Sequence, residues 1–371
     1  MPMIAHLEPD PSLLAVVWND SVRTEYPWLW LRDHAHDDET MHPITQQRQL
    51  YTAGVGIGLS GMAVVTEDGG LEISWPDGST PSRLPLVFLL HFRRPTTRRA
   101  AIEIEPIPWD WTTHGGEAPS VSYKSVMTSD EGVIDWLTTV ARYGFCIAQG
   151  TPHTLEATEE LIDRLGYVRH TIFGGFWDFE ADLSKADTAY TNLELRPHTD
   201  GTYSHDAPGM QVLHCISFDG TGGESSIVDG FLIADKLKAS SPEHYETLST
   251  VAVPGQYIGD GSHLMAARPV FRHDHTGTLC QVSFNNSDRA PFLLPADEMT
   301  AFYDAARAFE TLANDHRLQW RHVLRPGEAL LFDNWRVLHG RAAYSGRRHL
   351  CGAYLNHEDF ESKLRLAGPA H

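Results

Sequence analysis

The sequence predicts a mainly β fold with flanking helices, in which a double-stranded β-helix (a jelly roll) follows a small β-rich N-terminal domain. Three observations lead to this prediction. The 371 residues suffice for two domains, and an apolar fraction of 42% allows each domain to bury a core. Residues 11 to about 100 consist of short strand patterns separated by turns. In the rest of the chain, helical patterns come first, and many short apolar runs with long intervening segments follow.

The N-terminal domain is predicted over residues 1–105. Its apolar runs are typical of strands, and turn signals such as Pro76-Asp77-Gly78 separate them. Residues 106–120 are rich in Pro, Trp and Gly, which indicates a linker. The strand-like runs are residues 14–18, 71–75 and 85–90.

The second domain, the jelly roll, is predicted over residues 121–371. Ser129 can cap one helix and Thr154 a second, and a third helix is predicted at about residues 299–314. The strand patterns are residues 143–148, 210–216, 225–228, 279–284, 329–332 and 349–355. Two facing antiparallel sheets can accommodate strands with such long connections.

Charge and cysteine content exclude several classes of protein. Lys and Arg total 29 against 49 Asp and Glu, so the net charge of −20 would repel nucleic acid and anionic membranes. No apolar run reaches membrane-spanning length and the first residues lack a targeting pattern, which together predict a cytoplasmic protein without a membrane partner. The four cysteines form no Cys-x-x-Cys pair, so neither a disulfide framework nor a zinc knuckle is expected.

His198 and Asp200 form the motif from which the function is predicted. Residues two apart on a strand point to the same side, so an imidazole and a carboxylate can occupy adjacent positions around a divalent metal. His339 is the best candidate for a third ligand. Two histidines and one carboxylate leave open positions on the metal, as in non-haem Fe(II) oxygenases. The alternative is that His339 is a buried core histidine.

Arg348, in the strand pattern after His339, suits a cosubstrate that has two carboxylates. Its planar guanidinium can bind in bidentate fashion the carboxylate that does not chelate the metal. Arg347 points to the other side if the strand is regular, although the sequence leaves the register open. Ser225 follows two glycines and could place its hydroxyl near the same carboxylate; the alternative is that this run is a plain turn.

Aromatic residues are frequent just before His198. Aromatic faces attract a quaternary ammonium ion, which has no hydrogen-bond donor, by about 0.5–2 kcal/mol each. One carboxylate among them, Asp187, completes a set suited to a trimethylammonium group; the alternative is that the rings belong to an ordinary core. The aromatic residues are Phe173, Phe176, Trp177, Phe179 and Tyr190.

A polar run at residues 285–289 follows an apolar strand pattern. Asn286 and Arg289 in this run could bind the anionic end of a zwitterion. As a bare pattern, the same run is typical of a turn.

Longer motifs extend nearly from one end of the chain to the other. They are Trp30-Leu31-Arg32-Asp33-His34, Trp75-Pro76-Asp77-Gly78, Phe173-Gly174-Gly175-Phe176-Trp177, Asp187-Thr188-Ala189-Tyr190-Thr191, His198-Thr199-Asp200, Gly222-Gly223, Val228-Asp229-Gly230-Phe231, Asn285-Asn286, Asp288-Arg289-Ala290 and Asp333-Asn334-Trp335-Arg336-Val337-Leu338-His339-Gly340-Arg341. In these motifs and their order the chain resembles the trimethyllysine dioxygenase and γ-butyrobetaine dioxygenase family. That family is a branch of the Fe(II)/2-oxoglutarate oxygenases similar to taurine dioxygenase.

The resemblance implies that Fe(II) binds to His198, Asp200 and His339, and that 2-oxoglutarate binds to Arg348, with O2 as the oxidant. We assign Ser225 and Arg341 to the same cosubstrate site. Family members are often dimers, so a homodimer is expected.

The resemblance also implies an ammonium cage of Trp177, Tyr190 and Tyr354, with Phe173 at a position where tyrosine is usual. Asp187 matches the trimethyllysine branch of the family, since the butyrobetaine branch has asparagine there. The remaining residues that we assign to the substrate site are Asn192, Tyr203, Asn286 and Arg289.

Two features depart from the family. Its N-terminal domain often binds zinc through three cysteines and a histidine, but those positions here read Ala35, Asp37 or Thr40, and Ser79, so structural zinc is not expected. The chain also lacks the mitochondrial presequence of the animal trimethyllysine enzymes, which favours a bacterial-type enzyme with another trimethylammonium substrate.

The resulting hypothesis is hydroxylation of 2-(trimethylammonio)ethylphosphonate at the carbon next to phosphorus, with Asn192, Asn286 and Arg289 binding the phosphonate. The alternatives are N6-trimethyllysine 3-hydroxylase and γ-butyrobetaine hydroxylase. A protein of another class, a catalytically silent betaine-binding protein, is a remote alternative.

Overall fold

The structure is a computed structural model that describes residues 1–94, 104–113, 116–179, 192–259 and 261–367. Its internal contacts divide the chain into two compact units, Met1–Arg99 and Ala100–Gly368. Each unit has a hydrophobic core of its own. None of the helices in the described ranges is long and apolar enough to cross a membrane.

The N-terminal unit is built from short strands and two short α-helices in its described part. In chain order they are β1 (Ile4–Pro9), β2 (Leu13–Trp18), β3 (Arg23–Pro27), α1 (Trp28–Asp33), β4 (Met62–Val65), β5 (Leu71–Ser74), β6 (Ser82–Leu84) and α2 (Leu86–His91). The strands form two antiparallel sheets in the orders β1-β2-β3 and β4-β5-β6. Trp18, Trp28 and Trp75 are buried among aliphatic side chains in the core between these elements.

The prediction of a strand at residues 85–90 is wrong, because most of these residues form helix α2. Leu86 and Leu89 are buried, whereas Val87 between them is exposed. A short apolar run does not by itself distinguish a buried strand from a helix. The three-residue spacing of the two buried leucines fits one face of a helix.

The second unit contains most of the strands and the longer helices. Its helices are α3 (Tyr123–Thr128), α4 (Asp130–Tyr143), α5 (Leu155–Asp163), α6 (Gly230–Ser240), α7 (Pro242–Thr250), α8 (Ala296–Ala313) and α9 (His357–Ala367). Its strands are β7 (Ser120–Ser122), β8 (Phe145–Gln149), β9 (Trp177–Phe179), β10 (Leu195–His198), β11 (Met210–Gly222), β12 (Ser225–Asp229), β13 (Val253–Gly259), β14 (Ser262–Arg268), β15 (Phe271–His273), β16 (Leu279–Val282), β17 (Gln319–His322), β18 (Glu328–Asp333), β19 (Val337–Arg341) and β20 (Tyr344–Leu355).

Two sheets form the jelly roll that the sequence predicts, with strand orders β7-β8-β18-β11-β20-β9 and β10-β19-β12-β17. Phe145 and Phe332 of the larger sheet pack in one cluster with Ile227 and Val337 of the smaller sheet. The alternate residues of β8, such as Cys146, pack instead with helices α4, α5 and α9 on the other face. Since successive side chains of a strand point to opposite faces, the larger sheet packs against the smaller sheet on one face and against helices on the other.

The N-terminal caps that the sequence predicts for two helices of this unit are confirmed. The Ser129 side chain accepts a hydrogen bond from the Gly132 N–H at the start of α4, and the Thr154 side chain accepts one from the Ala157 N–H at the start of α5. These contacts satisfy backbone donors that have no partner within the helix.

The segment expected to be a linker contributes to the core of the second unit. Trp109 is fully buried there, and its indole N–H donates to the carbonyl of Tyr143. Its backbone N–H donates to the carboxylate of Asp229. The composition of this segment signalled turns, but it carried no information on where the aromatic side chain would pack.

Candidate active site

Two strands of the smaller sheet bring the predicted metal ligands together. In the antiparallel pairing of β10 with β19, His198 lies opposite His339. Asp200 follows two residues after His198, where the chain leaves β10. Long-range strand pairing therefore unites the two histidines that are far apart in the sequence.

The side chains of these three residues converge on one point. His198 Nε2 lies 3.3 Å from Asp200 Oδ1, and His339 Nε2 lies 3.4 Å from Asp200 Oδ2. One ligand atom from each residue lies within 4.8 Å of the others. Two imidazole nitrogens and a carboxylate oxygen are the donor set of non-haem Fe(II) sites, so these residues fit a divalent iron.

Neighbouring groups fix the orientation of the ligands. His198 Nδ1–H donates a hydrogen bond of 2.7 Å to the carbonyl oxygen of Arg196. This bond leaves Nε2 directed at the metal position. Asn334 holds the backbone of Asp200 from both sides, because its Oδ1 accepts from the Asp200 N–H at 2.8 Å and its Nδ2 donates to the Asp200 carbonyl at 3.1 Å. Sequence reasoning did not assign a role to Asn334, although it belongs to one of the quoted motifs.

Burial and charge shift the pKa values of the three ligands in different directions. Burial favours the neutral form of Asp200, but the two imidazoles outweigh it and hold the pKa of the carboxyl well below its usual range. Burial also opposes protonation of His198, yet the Asp200 carboxylate raises its pKa. Burial lowers the pKa of His339. An ionised carboxylate and a neutral imidazole are the forms that bind a metal.

The ligands line a cavity of about 380 Å³, a size typical of small-molecule sites. Several residues of the predicted cosubstrate and substrate sites face the same cavity. They are Phe173, Trp177, Tyr203, Ser225, Asn286, Arg341, Arg348 and Tyr354.

Arg348 gives one part of the cavity a buried positive charge. It is only 8% exposed, whereas the neighbouring Arg347 is exposed, so the alternation along β20 turns Arg348 inward. Burial, together with the nearby charge of Arg341, lowers the pKa of Arg348 to about 10. Within the described part of the chain, no carboxylate forms an ion pair with Arg348. A buried guanidinium of this kind fits a carboxylate ligand.

Aromatic rings cover another part of the cavity, close to the metal position. The rings of Trp177 and Tyr354 meet edge to face at 4.2 Å between centroids. Tyr257, which sequence reasoning missed, lies against both Phe173 at 5.3 Å and Tyr203 at 5.4 Å. Tyr257 belongs to β13, a strand that the sequence analysis did not predict, so no signal marked it.

Two residues of the predicted anion site do not line this cavity among the described residues. The Arg289 guanidinium lies over the rings of Phe302 at 5.8 Å and Tyr303 at 5.4 Å, on helix α8. Asn192 is exposed, and its backbone carbonyl accepts from the Tyr344 N–H. The structure therefore does not bring these two residues together with Asn286 on the cavity wall, and their binding of an anion stays a prediction. Asp187 and Tyr190 of the predicted cage lie outside the described residues.

Two sequence profiles match the chain. The profile described as taurine catabolism dioxygenase TauD, TfdA family matches residues 103–354, which include the three metal ligands. The profile described as γ-butyrobetaine hydroxylase-like, N-terminal matches residues 5–84.

The chain is similar over most of its length to curated enzymes. It is 36% identical to a trimethyllysine dioxygenase of Meyerozyma guilliermondii, with 96% of this chain and 94% of the relative covered. It is 35% identical to the mitochondrial trimethyllysine dioxygenase of Gallus gallus, and the alignment covers 92% of this chain and 83% of the relative. It is 29% identical to the γ-butyrobetaine dioxygenase of Homo sapiens, and the alignment covers 95% of this chain and 94% of the relative.

A solved structure also shares the fold. It is described as a candidate alpha-ketoglutarate-dependent taurine dioxygenase from Burkholderia xenovorans, and it aligns with a TM-score of 0.50 at 14% identity. The alignment covers 68% of this chain and 92% of that chain. At this level of identity the likeness bears on the fold alone.

Proposed function

The chain belongs to the TauD, TfdA family of dioxygenases, and on that premise we propose that it hydroxylates N6-trimethyllysine. It is an Fe(II)- and 2-oxoglutarate-dependent dioxygenase, with His198, Asp200 and His339 as the metal ligands. Relatives that are named for trimethyllysine and for γ-butyrobetaine both act on a trimethylammonium compound, which supports that class of substrate here.

The observation that carries the proposal is the position of Trp177 and Tyr354 beside the metal ligands. Their rings meet within the cavity, and the hydroxyl of Tyr354 donates to Asp200 Oδ2 at 2.7 Å. A quaternary ammonium held against these faces by cation–π attraction lies a few bonds from any carbon placed at the metal. Such an arrangement directs hydroxylation to the carbon chain of the substrate.

When bound, Fe(II) with 2-oxoglutarate and O2 supplies the oxidising chemistry: one oxygen atom enters a substrate C–H bond, the other ends in succinate, and CO2 is released. The side chains of the protein provide placement. Arg348 would bind the carboxylate of 2-oxoglutarate that does not chelate the metal, and Ser225 and Arg341 line the same cavity. Arg196 and Asn334 keep His198 and Asp200 oriented. Trp177, Tyr257 and Leu350 are buried apolar walls of the same cavity.

Within the trimethylammonium class, N6-trimethyllysine is better supported than the phosphonate that the sequence suggested. The relatives at 36% and 35% identity are named for trimethyllysine. Two of the three residues that we expected to bind a phosphonate, Asn192 and Arg289, do not line the described cavity. γ-Butyrobetaine is the second candidate, because the profile matched at the N-terminus and the human relative bear its name.

The proposal is tested by incubating the protein with Fe(II), 2-oxoglutarate and each of the three candidate substrates. Turnover is measured as succinate release and, by mass spectrometry, as the gain of one oxygen atom in the substrate. We expect the highest kcat/KM with N6-trimethyllysine and carbon 3 as the hydroxylated position. A higher kcat/KM with the phosphonate or with γ-butyrobetaine would show that this compound, and not N6-trimethyllysine, is the preferred substrate. Absence of 2-oxoglutarate decarboxylation with all three would instead indicate a silent betaine-binding protein.

A further inference from the structure

The loop that leaves strand β16 begins directly beside the metal ligands. The Thr199 N–H donates to the carbonyl of Phe284 at 2.8 Å, and the Phe284 N–H donates back to Thr199 Oγ1 at 2.9 Å. Thr199 lies between the ligands His198 and Asp200 in the sequence. This reciprocal pair fixes the start of the loop at the metal end of the cavity.

The same loop carries a carboxylate, Asp288, into the cavity in a fixed position. Asp288 Oδ2 accepts from Asn285 Nδ2 at 2.9 Å and from the Thr202 hydroxyl at 3.4 Å. The backbone carbonyl of Asp288 accepts from the Gln256 N–H at 2.8 Å. Asp288 is half-buried and lines the cavity. The run that resembled a plain turn in the sequence is thus a structured loop with an oriented carboxylate.

Asp288 also has partners that adjoin the metal ligands in the chain. Thr202, whose hydroxyl donates to Asp288, lies two residues after Asp200, and Asn285, which also donates to Asp288, follows Phe284, the partner of Thr199. Two other acidic residues line the cavity without serving the metal: Glu194, which is exposed, and Glu310, which lies on helix α8. Because Asp288 is held near the metal ligands, it is the acidic group best placed to meet a substrate cation close to the reacting carbon.

The proposed substrate presents two cations of different chemistry. Its quaternary ammonium has no N–H group and is recognised by aromatic faces. Its α-ammonium has three N–H donors and requires oxygen acceptors, best a carboxylate. Carbon 2, which carries the α-ammonium, is bonded to carbon 3, so a substrate with carbon 3 at the metal places the α-ammonium at the metal end of the cavity. γ-Butyrobetaine has no such group.

We infer that Asp288 accepts the α-ammonium group and thereby selects an α-amino acid over a betaine that lacks this group. The inference rests on the proposed function and deepens it by assigning a specificity-determining residue. Asn285 and Thr202 act as positioning residues, since their hydrogen bonds hold the Asp288 carboxylate.

The test compares Asp288→Asn with the wild-type enzyme on two substrates. One is N6-trimethyllysine, and the other is 6-(trimethylammonio)hexanoate, which has the same skeleton without the α-amino group. Loss of a charged hydrogen bond is expected to lower kcat/KM for N6-trimethyllysine by about 10- to 100-fold. For 6-(trimethylammonio)hexanoate we expect a change of no more than about 3-fold, because it makes no contact that the variant loses. Calorimetric titration of N6-trimethyllysine into the anaerobic Fe(II)–2-oxoglutarate enzyme should show the same loss in affinity.

Glu310→Gln is the comparison variant, because it removes another carboxylate that lines the same cavity; it should not lower kcat/KM for N6-trimethyllysine more than for the analogue. If Asp288→Asn does not fold, Asp288→Glu carries the test, since a displaced carboxylate should affect N6-trimethyllysine more than the analogue. Equal losses for both substrates, no loss for either, or a selective loss in Glu310→Gln would overturn the inference alone. A wild-type enzyme that does not turn over N6-trimethyllysine would overturn the proposed function and this inference with it.

Discussion

The phenolic O–H of Tyr354 donates a hydrogen bond of 2.7 Å to Oδ2 of Asp200, the carboxylate of the metal triad. The ring of the same tyrosine packs edge to face with Trp177 on the wall of the cavity. One side chain therefore supports a metal ligand through its hydroxyl and contributes to the proposed ammonium cage through its ring. The two contributions can be separated because they depend on different atoms.

Tyr354→Phe removes the hydroxyl and keeps the ring. We expect Fe(II) affinity to fall by about 10-fold or more, because partners that orient a metal ligand have effects of this size, while KM for N6-trimethyllysine changes little. Trp177→Ala should do the reverse, raising KM and leaving Fe(II) affinity unchanged. Metal titration and steady-state kinetics measure both quantities. Unchanged Fe(II) binding in Tyr354→Phe would mean that the hydrogen bond does not support Asp200.

Arg348→Met tests the cosubstrate site. Removal of the buried guanidinium is expected to raise KM for 2-oxoglutarate by about 10- to 100-fold, because a charge-assisted hydrogen bond is lost. The melting temperature without cosubstrate should not fall, since no carboxylate among the described residues pairs with this buried cation to offset its desolvation. Arg347→Met changes the same charge on the exposed side of β20 and should leave KM unaltered. Similar KM values in the two variants would contradict the assignment.

Arg32→Met tests a buried polar network in the N-terminal unit. Arg32 donates to Thr40 and Ser82 and lies 3.6 Å from the Asp37 carboxylate, all largely buried. Removing one member of a buried ion pair costs about 3–5 kcal/mol, so we expect a loss of this order in the free energy of unfolding.

Arg83→Met is the control for Arg32→Met, since Arg83 pairs with Glu72 at the surface and should contribute less than about 1 kcal/mol.

Added zinc should not raise the unfolding midpoint of the N-terminal unit in the wild type. Denaturant unfolding monitored by tryptophan fluorescence measures these effects. Stabilisation by zinc would show that this unit binds the metal without the usual cysteines.

His357 predicts a pH dependence of stability. Burial opposes its charge, but Asp333 and Glu361, at 3.5 Å and 3.3 Å, outweigh burial and raise the pKa of His357 to about 10. A pKa that is higher in the folded state than in the unfolded state, where it is about 6.5, stabilises the protein fully below that lower value. This stabilisation is lost as the pH rises through about 10.

We therefore expect the free energy of unfolding to decline between about pH 6.5 and 10, and His357→Gln to flatten that decline. His275→Gln, at an exposed turn, should keep the wild-type slope. Urea unfolding at a series of pH values gives the slopes. A decline that persists in His357→Gln would assign the pH dependence to other groups.

Much of the site could be predicted because its signals are local. Extended backbone directs residues two apart, such as His198 and Asp200, to one side, and in a regular strand the neighbours Arg347 and Arg348 point to opposite sides. The caps at Ser129 and Thr154 act within one helical turn. Such features depend on neighbours in the sequence and need no knowledge of distant contacts.

Other features required the folded chain. The sequence did not distinguish helix α2 from a strand, because the packing of Leu86 and Leu89 decides that choice. It identified neither Tyr257 nor the contact of the Arg289 guanidinium with the rings of α8. In each case the partner is distant in the sequence and no local rule specifies it.

The sequence by itself therefore determined the chemical groups of this protein: a histidine and a carboxylate two residues apart, a candidate third ligand, and an arginine suited to a dicarboxylate. Only the tertiary structure decided which groups surround them. It placed His339 opposite His198, the Tyr354 hydroxyl on Asp200, and Asp288 on the wall of the same cavity. The physical reason is that metal-ligand chemistry is a property of side chains, whereas the shape and charge of a cavity arise from long-range strand pairing and packing.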